Sequence, residues 1–188
     1  MKRMSIIIAT LCAATLAVGA NLDQFADEPG YIDLGDLRQF EEGNSVTEII
    51  VKDNLIRMVA ALVKQEEPEF AEMLARVKLV HVHVVEVSES NSAGLSGHID
   101  TINDQLDESG WDVMVRMREG DEQNQIYILP EGDTSVRGLC VLSTDGSEAV
   151  FVNIVGTIDI DMLTRLGEQF DIPGLGDVGE VVDDATGI

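Results

Sequence analysis

The sequence predicts an α+β fold: a two-layer sandwich with a mainly antiparallel sheet and helices packed on one face. Three observations carry that expectation. Helical periodicity is confined to a few segments, and the second half is a run of short strands. The turns between those strands are too tight for anything but antiparallel pairing.

The chain opens "MKRMSIIIATLCAATLAVGANLDQ". Lys2 and Arg3, an apolar core from Ser5 to Val18, and the small residues Val18 and Ala20 predict a signal peptide over 1–20, cleaved after Ala20. The apolar run is too short for a confident membrane span. Lipid attachment at Cys12 would require a small residue before it, where Leu11 stands. The domain is expected over 21–170 and a Gly- and Asp-rich tail over 171–188, with no internal repeat and no linker dividing the core.

Residues 21–30 are a polar lead-in, and "YIDLGDLRQF" (31–40) alternates enough for a short strand or edge segment. "SVTEIIVKD" (45–53) is a clearer, β-branched strand. The period then changes. Leu55, Met58, Val59, Leu62 and Val63 fall on one helical stripe, with Asp53 as N-cap. Pro68 opens a second helix that places Phe70, Met73, Leu74 and Val77 on one side. "KLVHVHVVEV" (78–87) is a strand, and a third helix follows with Leu95, Ile99, Ile102 and Leu106, ended by Gly110. Four strands come next, "WDVMVRMRE", "NQIYILPE", "SVRGLCVLS" and "EAVFVNIVGT", separated by Gly- and Asp-bearing turns. "DIDMLTRLGEQF" (159–170) is expected as a closing helix.

The order of "GYIDLGD", an amphipathic helix, a strand, "GWDVMVRMRE", turn-separated strands and "VFVNIVGTIDIDMLTRL" resembles a bacterial family of exported proteins, domain of unknown function 4252. The likeness runs from about Gly30 to Leu166, and "VNIVGTIDIDML" is its most specific piece. It implies an exported or lipid-anchored domain with no established activity. It also implies gene neighbourhoods that include extracytoplasmic-function sigma factors, and hence a link to envelope signalling. It supplies no catalytic residues.

Composition narrows the function classes. Loss of the cations Lys2 and Arg3 takes the formal net charge from −23 to −25. That charge argues against nucleic acid and anionic membrane surfaces. Without Cys12, Cys140 stands alone, so no intramolecular disulfide is available, and its apolar strand predicts an inert buried thiol. "GLGDVG" (174–179) has dinucleotide-loop spacing but neither the preceding strand nor the following helix that the chemistry needs. Asn153 in "VFVNIVG" predicts a structural role, because a buried amide must be hydrogen-bonded.

"KLVHVHVVEV" carries the sharpest question. Alternation puts His81 and His83 on one side of the sheet with Leu79, Val85 and Val87, and Val80, Val82 and Val84 on the other. The valines are expected to face the core. The histidine side then becomes an interaction face, covered by a dimer partner, a loop or a ligand. An H-x-H strand also supplies two zinc ligands, with His98 or a carboxylate as the third. The leading expectation is therefore a non-enzymatic exported binding or envelope-signalling module, meeting a protein partner in the envelope or a second copy. It would have no nucleic-acid ligand and no membrane span after signal cleavage. The alternative is a metal-dependent hydrolase using His81, His83 and His98, with zinc as its cofactor.

Overall fold

The computed structural model describes residues 22–41, 44–120 and 122–159. Its regular elements are β1 (Val46–Lys52), α1 (Asp53–Val63), α2 (Pro68–Leu74), β2 (Val77–Glu86), α3 (Ser92–Glu108), β3 (Asp112–Glu119), β4 (Glu122–Glu131), β5 (Ser135–Thr144) and β6 (Glu148–Asp159). The signal peptide, its Cys12, residues 160–170 of the expected last helix and the tail of 171–188 lie outside the described residues. Asp159, expected to open that helix, is the last residue of β6.

The α+β class is borne out. Six strands form one sheet in the order β1-β2-β6-β5-β4-β3, every neighbouring pair antiparallel. β3 to β6 form a meander, and Gly132 and Gly146 turn it with φ of 68° and 82°, angles that side chains other than glycine rarely adopt.

The helices divide between the two faces of the sheet rather than sharing one. Ile56 of α1 and Met73 of α2 pack with Val80, Ile126, Leu139 and Ile154. Leu95, Ile102 and Leu106 of α3 pack with Tyr127, Cys140, Leu142 and Phe151. Strand alternation places these two sets on opposite sides, because Cys140 and Leu139, or Phe151 and Ile154, differ in parity. A sheet apolar on both sides requires such double cover.

Residues 31–36 make no strand. They run extended into a 3-10 turn at Leu37–Phe40 and lie across the α3 face, where Ile32, Leu34 and Leu37 are buried. Asn153 ties this segment to the middle of the sheet. Its Oδ1 accepts from the Ile32 N–H at 3.1 Å, and its Nδ2 donates to the Gly30 carbonyl at 2.9 Å. The chains approach so closely here that both contacting positions are glycine. A Cβ on Gly30 would overlap the Arg137 carbonyl, and one on Gly138 would lie 2.6 Å from the Trp111 ring.

Cys140 is fully buried, and burial pushes its thiol up to about 12. The thiolate is the reactive form, so native protein lacking residues 1–20, and with them Cys12, is expected to resist a maleimide at pH 8 and to label only when denatured. Mass spectrometry before and after guanidine checks this, and rapid native labelling would contradict it.

Candidate functional site

The face of β2 bearing the histidines is the covered one. Leu79 and Val85 are completely buried, His81 and His83 retain 4% and 3% of their surface, and Val87 packs against the α3 core. Val80, Val82 and Val84 are half-buried on the other side. The five residues Leu79, His81, His83, Val85 and Val87 therefore do not form an open interaction face. Their cover is the chain's own N-terminal segment together with α3.

Pairing of β1 with β2 brings an acid to the histidines. Glu48 stands opposite His83 and Ile50 opposite His81 on the same face, while Asn153 and Phe151 flank the histidines from β6. Glu48 Oε1 lies 3.0 Å from His81 Nε2 and 3.5 Å from His83 Nε2. The two imidazoles meet edge to face, ring centres 4.5 Å apart and planes at 62°. One ligand atom from each of the three residues falls within 4.8 Å of the others. Glu48 retains about a third of its side-chain exposure at 34%, so the cluster reaches solvent along the β1 edge.

The electrostatics keep the rings neutral. Burial pushes His83 down to about 4, His81 and Arg38 push the same way, and Glu48 and Asp36 oppose them. Burial also lowers His81, against its hydrogen bond to Glu48, the charge of Glu48 and that of Asp33. A buried neutral imidazole still has one donor and one acceptor to satisfy. Both ring nitrogens of His83 and Nδ1 of His81 nevertheless make no hydrogen bond among the described residues.

His98 does not join them. It sits on α3, where its Nε2–H donates to the Leu34 carbonyl at 2.7 Å and its ring meets Phe40 and Phe151 edge-on. The carboxylate in the third position is Glu48, which no motif singles out. Its one sequence signal is an acid in the middle of a β-branched strand. The arginines of β3 and β5 have local roles, Arg137 pairing with Glu131 at 2.8 Å and Arg116 donating to the Tyr127 hydroxyl at 3.1 Å.

A second surface lies on the opposite side. Helix α1 buries Ile56 and Ala60 and leaves Leu55, Met58, Val59 and Leu62 exposed, Met58 by 65% and Leu62 by 80%. The stripe that periodicity assigns to the core is therefore the outer one. Beside α1 the same sheet face carries half-buried Val82, Val84, Val150 and Val152. No helix among the described residues is long and apolar enough to cross a membrane.

Residues 40–166 match the model of a family described only as a domain of unknown function, DUF4252. The chain belongs to this family. No curated protein and no solved structure matches it. The matched part of this DUF4252 domain contains Glu48, His81, His83 and Asn153, together with all six strands of the sheet. The segment that carries Asp33, Asp36 and Arg38 over the histidines precedes it.

Proposed function

We propose that this DUF4252 domain is an exported, non-enzymatic binding module of the cell envelope that docks through the outer side of α1. The apolar N-terminal run of 5–18 supports export. The observation that carries the docking surface is the exposed stripe of Leu55, Met58, Val59 and Leu62.

The occupant that fits this stripe is a second copy of the chain. In a twofold pair of antiparallel helices centred between Met58 and Val59, Leu55 meets the partner's Leu62 and Met58 meets the partner's Val59. The stripe is thus self-complementary, as an isologous contact requires. Asn54, Ala61 and Gln65 on one flank are uncharged, and the nearby cations Lys52, Arg57 and Lys64 offset part of the repulsion between two acidic chains.

Leu62→Glu tests the reading, because a residue 80% exposed can change without disturbing the fold. Sedimentation at about 0.1 mM, which populates any pair with a micromolar Kd, is expected to give a dimer for the natural sequence. The variant should dissociate at least tenfold more readily, with unchanged thermal unfolding of the monomer, since a leucine leaving an apolar contact loses roughly 1.5–3 kcal/mol. A natural sequence that is monomeric at that concentration rules the second copy out.

Metal-dependent hydrolysis is the second reading, and the convergence of Glu48, His81 and His83 favours it. Hydrolysis also needs a group free to move a proton at a metal-bound water. Glu48, the acid nearest both rings, would itself be a ligand. The binding reading is therefore preferred.

A further inference from the structure

We propose that Glu48 Oε1, His81 Nε2 and His83 Nε2 bind one divalent transition-metal ion, of the zinc, copper or nickel type that imidazole prefers. This site lies on the opposite face from the α1 stripe and stands independently of the docking proposal.

Geometry carries the assignment first. In a tetrahedral centre with bonds of about 2.1 Å, neighbouring donor atoms sit about 3.4 Å apart. Glu48 Oε1 stands 3.0 and 3.5 Å from the two Nε2 atoms, and one ligand atom from each of the three residues lies within 4.8 Å of the others. The donors already converge on one point, and side-chain rotation closes them to the tetrahedral edge. Antiparallel register fixes the arrangement, because H-x-H projects both rings from one strand and Glu48 projects from the neighbouring strand to the same side.

Burial supplies the second observation. The ordinary account of such a cluster is a histidine–carboxylate hydrogen bond, and His81 with Glu48 provides one. It does not account for His83, which is 97% buried and uses neither ring nitrogen. Leaving a buried polar group without a partner costs roughly 1–3 kcal/mol. A metal bond to Nε2 removes one of those orphans, with the ring's single proton on Nδ1. The nearby acids Asp33 and Asp36 favour a cation, and Arg38, which opposes it, is itself paired with Asp36 at 2.9 Å. Two imidazoles with one carboxylate discriminate against magnesium and calcium, which prefer oxygen ligands throughout. Because Glu48 lies on edge strand β1 and the histidines on β2, the ion would also fasten that edge to the sheet.

The test is titration of the chain, purified without a histidine tag and stripped with chelator, with zinc chloride against excess magnesium. The expected result is one zinc per chain, a raised unfolding midpoint that chelator reverses, and displacement of the His81 and His83 ring-proton resonances while those of His98 stay in place. Glu48→Gln should weaken zinc at least tenfold, and His83→Asn likewise. Should His83→Asn fail to fold, Glu48→Gln on the exposed edge still decides the matter. Equal zinc binding by Glu48→Gln would assign the uptake to surface carboxylates and overturn the proposal. So would absence of stoichiometric zinc, or full competition by magnesium.

Discussion

Replacing Asn153 by leucine is expected to lower stability by about 3 kcal/mol. The amide is completely buried in the central strand β6 and spends its hydrogen-bonding capacity across the sheet. It accepts from the Ile32 N–H, donates to the Gly30 carbonyl, and stands 3.4 Å from the Leu139 carbonyl. Leucine has the same branching and the same number of side-chain heavy atoms, so it opens no cavity. It leaves a donor and an acceptor of the 30–32 segment facing an apolar wall, each at roughly 1–3 kcal/mol. The consequence reaches beyond β6, because that segment is the lid that buries His81, His83 and Leu79. Urea unfolding should show the loss as a lowered midpoint. Native-state hydrogen exchange should show the Ile32 amide losing its protection. A change under about 1 kcal/mol would mean that Ile32, Leu34 and Leu37 hold the segment by apolar contact alone.

Asn153 was legible because its chemistry permits one reading. An amide in the middle of "VFVNIVG" can be buried only if bonded, whatever the sheet order. The turn-separated strands after Trp111 were legible for the same kind of reason, since glycine and aspartate at tight turns leave antiparallel pairing as the sole outcome. Phase was the harder problem. α1 is apolar over most of its circumference, with Ile56, Ala60 and Ala61 beside the periodic Leu55, Met58, Val59 and Leu62, so hydropathy alone does not select the buried side. β2 has the same ambiguity, for its two faces are valine on one side and leucine, valine and histidine on the other. A general preference for wet histidines pointed to the wrong face. The lid that covers them reads locally as a strand, and only its tertiary tie to Asn153 places it over the sheet. Glu48 was invisible for a topological reason. Its meeting with His83 depends on β1 pairing with β2 across two intervening helices, and no local pattern encodes that pairing.

The buried histidines should also make the metal-free protein acid-labile in a definable window. Unfolded, His83 titrates near about 6.5, whereas in the fold burial holds it down at about 4. Above pH 6.5 neither state carries the proton and stability is at its full value. As the pH falls through that value the unfolded chain takes up a proton that the folded chain refuses, and stability declines until the folded ring titrates as well. The gap between the two values corresponds to about 3 kcal/mol. Burial lowers His81 too, so its contribution has the same sign. The charges around the pair set the balance. Glu48 on β1 and Asp36 on the lid favour protonation of His83, while Arg38 and a protonated His81 oppose it. Carboxylates held below their ordinary range, such as Asp36 beside Arg38 and Asp145 in its turn, lose their contribution only at still lower pH and leave the upper part of the window to the histidines. Urea midpoints measured in chelator from pH 7.5 to 4 should therefore fall steeply between about 6.5 and 4, and His83→Asn should flatten that slope. A natural sequence with level stability across the window would show that the imidazoles share their proton with an acceptor in the fold, for which Glu48 is the nearest acid among the described residues.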